Sequence, residues 1–312
     1  MATKKILSID GGGIKGVFPA SFLASIEQQL DGRIAEHFDL IVGTSTGGII
    51  ALGLGLGYSA QEILDFYKEK GPSIFPKKTW FSFPGRVFGS KYQPAALKAA
   101  LEEKFGERLL GESANRLVIP SLDLDTGMVY IHKTAHSERF ARDYKERAVN
   151  VALSTSAAPT YFPAHRMPSG SPLIDGGMWA NNPTGLAVVE AVGVLGWDPA
   201  SIRVLSLGCT SSPVQTGGNN LNKGFGYWAG KAIETMMCAQ SSGSMGTAFI
   251  LTSHEQVKRI DPSTAPGKDA LDNVQLIESL EGLGSSTARY EYPLIKSFFE
   301  EKAEPFVPHY KP

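Results

Sequence analysis

Apolar residues recur along the first sixty positions with two different periods, and the two periods alternate. Short apolar runs at 4–9 and 38–42 predict strands, and a glycine-rich turn follows each of them. Between the two runs, apolar residues recur at the spacing of one helix face, at Phe18, Phe22, Ile26 and Leu30. A second helix is predicted for 48–56. This alternation is typical of a mostly parallel sheet covered by helices on both faces, so the pattern predicts an α/β fold.

Later segments continue the same plan. A helix is predicted to begin near Ser59, because Glu62 three residues on completes a capping box. The same patterns predict helices at 94–105 and 149–156 and strands at 117–122, 128–132 and 205–207. The last of these is the final strand of the sheet that the sequence pattern allows us to predict.

The sequence offers no internal repeat and no linker that would divide it. We therefore expect a single domain over 1–312. The chemically informative motifs lie within 4–210, and 211–312 is expected to be a helical C-terminal part to which we assign no role.

The composition is that of an ordinary globular protein: among 312 residues, 42% are apolar and 20% are charged. The net charge of −1 gives no overall attraction to nucleic acid polymers or to anionic membranes. The two cysteines are too few for a disulfide framework or a cysteine-rich metal site. No apolar run has the length of a signal-peptide core or of a membrane span, so we expect a cytoplasmic protein.

The first candidate motif is Gly43-Thr-Ser-Thr-Gly47, a G-x-S-x-G placed between a predicted strand and a predicted helix. At such an elbow, the serine occupies a strained turn and its hydroxyl projects from the carboxyl edge of the sheet. Gly43 and Gly47 leave room for the tight packing of the turn. The N-terminus of the following helix would favour negative charge beside Ser45.

The second motif is Asp10-Gly-Gly-Gly-Ile-Lys-Gly16, directly after the first strand. Successive glycines leave backbone N–H groups unshielded, so they can donate to a developing oxyanion. The spacing of Gly11, Gly13 and Gly16 also fits a dinucleotide-binding fingerprint. That fingerprint needs an acidic residue at the end of the second strand, and here the only acid, Asp39, lies at its start.

The third motif is Asp175-Gly176-Gly177, which follows Leu173-Ile174. An aspartate fixed by a tight glycine turn could act as a general base for the serine. On its own, Asp-Gly is first of all a turn signal, so this motif gains its meaning from the other two.

Together and in this order, the three motifs resemble those of the patatin-like phospholipase family. Two further segments, Ser154–Pro163 and Asn181–Pro183, are similar to the stretches that flank the family's aspartate motif. The resemblance covers about residues 4–210 and implies a three-layer α/β/α fold. It also implies hydrolysis of fatty-acyl esters of glycerophospholipids, by an enzyme of the phospholipase A type, with no metal or organic cofactor.

The resemblance assigns a role to each motif. Ser45 is expected to be the nucleophile and Asp175 its base, with an acyl-serine intermediate. Gly12 and Gly13 are expected to form most of the oxyanion hole, helped by the N–H groups of Gly11 and Thr46. Lys15 stands where many family members carry arginine, where a cation would meet the lipid phosphate.

The chain is also similar to the stand-alone bacterial patatin-like enzymes that cyclic nucleotides switch on in antiviral defence. This resemblance implies a cyclic-nucleotide activator and peripheral binding at the inner membrane surface when the enzyme is active. We expect an activator pocket, or a surface for self-assembly into a homo-oligomer, in the glycine-rich stretch 217–226 and the helices after it.

Three alternatives remain open from the sequence. The chain could be a Ser–Asp–His esterase of small soluble esters, for which His254 is the histidine in the required position along the chain. It could be an acyltransferase that uses the same acyl-enzyme, or a non-catalytic nucleotide-binding regulator. The six histidines show no convincing metal-ligand spacing, so no metal site is predicted.

A segment rich in aromatic and cationic residues, 75–88, offers a candidate for contact with lipid. Its aromatic side chains could enter a bilayer interface while its cations meet lipid phosphates. The residues we single out are Trp80, Phe81, Phe83, Lys77 and Lys78. The alternative is a cover loop packed over the sheet, and both interpretations allow a lid over Ser45.

Overall fold

The computed structural model describes residues 3–76, 89–211, 222, 224–264 and 270–312. The strands in these residues are β1 (Lys4–Ile9), β2 (Leu40–Gly43), β3 (Arg116–Asp123), β4 (Val129–Lys133), β5 (His165–Arg166), β6 (Pro172–Asp175), β7 (Ile202–Leu207) and β8 (Val257–Ile260). The α-helices are α1 (Val17–Glu27), α2 (Thr46–Gly55), α3 (Ala60–Ile74), α4 (Ala95–Phe105), α5 (Ala148–Thr155), α6 (Gly177–Ala180), α7 (Thr184–Gly193), α8 (Phe225–Leu251) and α9 (Ile277–Ile295).

The eight strands form one sheet in the order β5-β6-β3-β2-β1-β7-β8, with β4 paired to β3. The centre of the sheet is parallel, since β1 pairs in parallel with β2 and β7, and β2–β3 and β7–β8 are parallel too. The antiparallel pairs are β3–β4, β3–β6 and β5–β6. The predicted mostly parallel sheet is therefore confirmed. The strand predicted at 205–207 is part of β7, and β8, which the sequence pattern did not predict, extends the sheet by one more strand.

Strands β2 and β6 lie end to end along the same edge of β3. Val118 of β3 pairs with both β2 and β4, and Ser121 pairs with both β4 and β6. Because one edge of a strand accepts only one partner at each position, β2 and β6 must both lie opposite β4. β2 runs parallel to β3 and β6 runs antiparallel to it, so their carboxyl ends face each other. The residues that follow β2 therefore meet Asp175, the last residue of β6.

Helices cover the sheet on both faces, as the alternating pattern predicts. Leu7, Ile9 and Ile41 point into a large core shared with α1 to α5 and α9. Their neighbours along the strands, Ile6 and Leu40 among them, point into a smaller core shared with α7 and α8. The helix after the serine motif, α2, is buried along its whole length and lies inside the larger core. Ser59 and Glu62 form the predicted capping box at the start of α3.

The described residues after 224 contribute to the same sheet and core. β8 pairs with β7, and α9 packs closely against α1. At Gly284 of α9, a Cβ atom would lie 2.6 Å from the carbonyl oxygen of Phe18, so the two helices approach at a glycine. Among the described residues, no helix combines the length and the apolar character needed to cross a bilayer.

Candidate active site

Ser45 lies between β2 and α2 in a strained backbone conformation. Its φ of 55° and ψ of −121° put a non-glycine residue where glycine is favoured, at a cost on the order of 1–3 kcal/mol. Ser45 is also the N-cap of α2, so the positive end of the helix dipole lies beside its side chain. The strand–turn–helix context predicted for the G-x-S-x-G motif is therefore present.

Side-chain hydrogen bonds hold the strained turn in place. The N–H of Ser45 donates to Oγ1 of Thr155 at 3.0 Å, and that hydroxyl donates to the carbonyl of Pro120 in β3 at 2.6 Å. The hydroxyl of Thr44 donates to the carbonyl of Ala180 at 2.6 Å. These contacts join the turn to β3, α5 and α6, and they offset the cost of the strain.

The glycines of the elbow are required by close backbone packing. A Cβ atom at Gly43 would lie 2.1 Å from the carbonyl oxygen of Gly47, and one at Gly47 would lie 2.3 Å from that of Ile9. Gly16 of the first motif packs on the same turn, where its Cβ would lie 2.2 Å from Oγ1 of Thr46. No side chain fits at these positions without moving the backbone.

Asp175 is hydrogen-bonded directly to the serine. Oγ of Ser45 donates to Oδ2 of Asp175 at 2.6 Å, and the N–H of Gly177 donates to Oδ1 at 2.7 Å. Burial raises the pKa of Asp175 to about 6, against the lowering effect of these two hydrogen bonds. Gly176 lets the chain turn against β3, because a Cβ atom there would lie 2.2 Å from the carbonyl oxygen of Pro120.

Residues with free backbone N–H groups line the cavity at Ser45. Gly12, Gly13 and Thr46 line the same cavity as Ser45, and in the described part of the chain no acceptor takes their N–H groups. Donors of this kind can bind an oxyanion. The N–H of Gly11 donates instead to the carbonyl of Asn181 at 3.0 Å, so the structure does not support its predicted help in the oxyanion hole.

The conformation of the glycine loop depends on the C-terminal part of the chain. Gly13 has a φ of 58°, and a Cβ atom there would lie 2.2 Å from the carbonyl oxygen of Leu271. The N–H of Ile14 donates to the same carbonyl at 2.8 Å. Leu271 therefore fixes the turn that presents the N–H of Gly13.

Asp10, at the head of the glycine loop, pairs with an arginine that sequence reasoning missed. Nη1 and Nη2 of Arg259 donate to the two carboxylate oxygens of Asp10 at 2.8 and 2.6 Å, and Nη2 also donates to Asp261 at 3.0 Å. Burial raises the pKa of Asp10 to about 6 even though the guanidinium lowers it. This bidentate pair attaches β8 to the start of the loop.

Lys15 is buried, and its Nζ donates to the carbonyl of Thr210 at 2.9 Å. It is not among the residues that line the cavity at Ser45. The prediction that Lys15 meets a lipid phosphate is therefore wrong, because the fold directs the ammonium group into the protein.

A second connection runs from α8 to the glycine loop. Gln240 exchanges two hydrogen bonds of 3.1 Å with the backbone of Asn182, and Ser244 donates to the Asn182 carbonyl at 2.7 Å. The preceding residue, Asn181, accepts the hydrogen bond from Gly11. The turn after α6 thus joins α8 to the backbone beside Ser45.

His254, the histidine named for the competing triad, lies away from the pair, and so do His165 and His132. His254 stacks on Phe249 and lies just before β8 begins. It is therefore at the amino end of the parallel strands, whereas the elbow is at their carboxyl end. His165 lies in β5 and faces a separate small cavity. The imidazole of His132 contacts Ser154 at 2.8 Å, and burial lowers its pKa to about 3. The Ser–Asp–His alternative through His254 is thus contradicted.

An apolar cavity of about 170 Å³ opens beside Ser45 and Asp175. Its walls are mostly aliphatic and aromatic, and include Ile49, Phe66, Ile74, Leu97 and Phe162. A hydroxyl paired with a carboxylate, oxyanion donors and an apolar cavity suit acyl transfer from a substrate with a hydrocarbon chain.

Two further predictions concern the segment for lipid contact and the binding of metal. The residues singled out for lipid contact, Trp80, Phe81, Phe83, Lys77 and Lys78, lie outside the described residues. Within the part of the chain that is described, no group of three or more histidine, cysteine, aspartate or glutamate side chains is placed to hold a metal ion.

Comparison with known proteins gives a consistent set of relatives. The family model of patatin-like phospholipase matches residues 7–188. A cGAMP-activated phospholipase of Pseudomonas aeruginosa is 34% identical to this chain, over 97% of the chain and 93% of that protein. One of Vibrio cholerae is 30% identical, over 97% and 96%. Patatin-like protein 2 of Oryza sativa subsp. indica is 38% identical, over 57% of this chain and 50% of that protein.

Proposed function

We propose that this chain, which belongs to the patatin-like phospholipase family, is a serine hydrolase of the phospholipase A type that uses Ser45 and Asp175 as a catalytic dyad. The observation that carries the proposal is the 2.6 Å hydrogen bond from Oγ of Ser45 to Asp175 at a strained elbow. The apolar cavity beside this pair supports a fatty-acyl substrate.

The acylation step transfers one acyl group to the serine. Oγ of Ser45 attacks the ester carbonyl while Oδ2 of Asp175 takes the hydroxyl proton. The carbonyl oxygen becomes an oxyanion, which accepts hydrogen bonds from the N–H groups of Gly12, Gly13 and Thr46. As the intermediate collapses, the ester C–O bond breaks and the lysophospholipid alcohol leaves with the proton from Asp175.

Deacylation repeats these steps with water as the nucleophile. Asp175 takes a proton from water, hydroxide adds to the acyl carbon, and Oγ of Ser45 leaves with the proton returned by Asp175. The products are a fatty acid and the free enzyme. Acylation and deacylation together need no oxidant, reductant or further co-reactant.

A carboxylate is ordinarily too weak a base for a serine hydroxyl. Here, burial raises the pKa of Asp175 to about 6, which makes the carboxylate more basic while it remains largely ionised at neutral pH. The dipole of α2 and the oxyanion donors favour the charge that develops in the transition state. The pair can therefore work without histidine.

The names of the relatives support activation by a cyclic nucleotide. Proteins of Pseudomonas aeruginosa and Vibrio cholerae that align with nearly the whole chain are both cGAMP-activated phospholipases. The hydrogen bonds from α8 through Asn182 and Asn181 to Gly11 offer a route from this helix to the glycine loop. Such an activator also supports a role in antiviral defence.

The experiment measures release of fatty acid from phosphatidylcholine by the purified protein, with and without cGAMP. We expect little release alone and rapid release with cGAMP. Ser45→Ala and Asp175→Asn should each lower turnover by several orders of magnitude, and the double variant should be little worse, because the two residues act as a unit.

Two controls separate the parts of the proposal. A short soluble ester tests the dyad without a membrane, and full activity in the absence of cGAMP would rule out the activation. Retention of turnover by folded Ser45→Ala, on either substrate and with cGAMP present, would rule out the dyad itself.

A further inference from the structure

The tip of the β3–β4 hairpin exposes a group of apolar side chains. Leu124 is 55% exposed, Met128 68% and Val129 52%. Soluble proteins expose single apolar residues often, but three within six positions form a patch, and such patches mark interaction surfaces.

The tip is held in one conformation rather than left free. The N–H of Asp123 donates to the carbonyl of Met128 and that of Gly127 to Asp123, both at 2.9 Å. The carboxylate of Asp123 also accepts the N–H groups of Asp125 and Thr126. The N–H of Leu124 donates to Pro172 of β6 at 2.9 Å. A preorganised tip loses little entropy on binding.

The tip projects from the same edge of the sheet as the dyad. Ser121 of β3 pairs with Asp175, and Leu124 follows three residues further along the chain. At the rise of a strand, this is a distance of about 10 Å. The apolar tip therefore stands just beyond the catalytic pair, at the same end of the sheet.

Helix α6 connects the tip to the cavity. The indole N–H of Trp179 donates to the carbonyl of Ser121 at 2.9 Å, which holds α6 against the end of β3. Its neighbour Met178 lines the cavity and is 42% exposed. Met178 therefore adds an exposed apolar side chain at the cavity that holds Ser45, on the helix that is bonded to the end of β3.

We propose that this surface, Leu124, Met128, Val129 and Met178, inserts into the interface of a phospholipid bilayer and lets an acyl chain pass from the bilayer into the cavity. The proposal rests on the proposed function, since it takes the membrane phospholipid as the substrate. Half-exposed apolar side chains next to the cavity mouth suit the boundary between headgroups and acyl chains.

The charge of the tip selects the kind of bilayer. Asp123 and Asp125 lie in the turn itself, and between Leu122 and Tyr130 the sequence has no lysine or arginine. An anionic membrane surface repels such a tip. The surface therefore fits a zwitterionic bilayer, and binding should weaken as anionic lipid is added.

The test measures cosedimentation with phosphatidylcholine vesicles in the presence of cGAMP. All proteins carry Ser45→Ala, so the vesicles stay intact. The double variant Leu124→Ser/Met128→Ser should bind about 30-fold more weakly, since two apolar side chains no longer leave water. Met128→Trp should bind the vesicles more tightly, and binding should shift the fluorescence of the new indole to shorter wavelength.

Ile250→Ser is the matched control, because Ile250 is 86% exposed. It lies near the C-terminal end of α8, which leads to the end of the sheet opposite the tip. It should bind vesicles like the parent. In proteins that retain Ser45, hydrolysis of a short soluble ester should change less than about twofold for either variant.

Equal binding by the parent and the double variant, or no binding by the parent, would overturn the proposal. So would a double variant that keeps vesicle binding but loses self-association, which would identify the tip as an interface between copies. If vesicle binding follows the prediction while no protein hydrolyses ester, the docking surface stands and the proposed catalytic function fails.

Discussion

Removing the backbone N–H of Gly177 is expected to shift the pH dependence of hydrolysis upward. This N–H donates to Oδ1 of Asp175 at 2.7 Å and favours the ionised carboxylate. Gly177→Pro removes the donor at the first position of α6, where proline is tolerated, and Gly176 before it has no Cβ to clash. Gly177→Ala keeps the N–H and, like proline, adds a Cβ, which would lie 3.0 Å from Oδ1 of Asp175. It is therefore the matched control, because it reproduces that contact without removing the donor.

The direction and size of the shift follow from the role of Asp175 as a base. The carboxylate must be ionised, so kcat/KM should fall tenfold per pH unit below its pKa of about 6. A hydrogen bond to a charged group contributes about 1.5–3 kcal/mol, and one pKa unit corresponds to about 1.36 kcal/mol. The midpoint should therefore rise by about one to two units in Gly177→Pro.

The assay measures kcat/KM for a short soluble ester between pH 4.5 and 8.5, with cGAMP present and thermal unfolding as the check on folding. The parent and Gly177→Ala should share a midpoint near 6, and Gly177→Pro should lie above both. The variants also identify which carboxyl group titrates in the profile. Gly177 hydrogen-bonds Asp175, whereas the pKa of Asp10, also raised to about 6, depends on Arg259. A common midpoint for all three, or a parent midpoint near 4, would refute the reasoning.

Three further changes test other parts of the account. Arg259→Met leaves Asp10 buried without its partner and should lower the free energy of unfolding by about 3–5 kcal/mol. Urea unfolding at pH 7 measures this loss, which should be smaller in Arg259→Lys. A loss below about 1 kcal/mol contradicts the expectation. Leu97→Trp narrows the cavity and should lower kcat/KM about 10–200-fold for long-chain esters while sparing acetate esters; equal losses for both would mean a general defect. His254→Ala should keep most activity, and inactivity in a folded variant would restore the triad.

The sequence was sufficient to predict that Ser45 and Asp175 belong to one site, and the structure joins them by a hydrogen bond, because their positions depend on local chain geometry. A serine on a strand-to-helix turn needs small neighbours, and the structure has Gly43 and Gly47 within backbone contact of the turn. The turn after Asp175 needs Gly176 for the same reason. Such requirements leave a short pattern in the sequence that can be found without a structure.

Contacts between distant segments left no such pattern. Arg259 and Asp10 are 249 positions apart, and nothing beside either residue marks the pair. Strands β6 and β8 have no more than two apolar residues in succession, whereas β2, of the same length, has three, so only β2 is visible in the pattern. Lys15 was predicted from its motif to meet substrate, but the carbonyl that it contacts belongs to Thr210, 195 positions further along the chain.

The central claim, a covalent acyl-enzyme on Ser45, is tested most directly by mass spectrometry of the protein quenched in acid during turnover of a p-nitrophenyl ester, with cGAMP present. The account predicts a mass increase of one acyl group in the parent, on the peptide that contains Ser45, and no increase in Ser45→Ala. An adduct on another residue would contradict the claim, and so would turnover by folded Ser45→Ala at the rate of the parent.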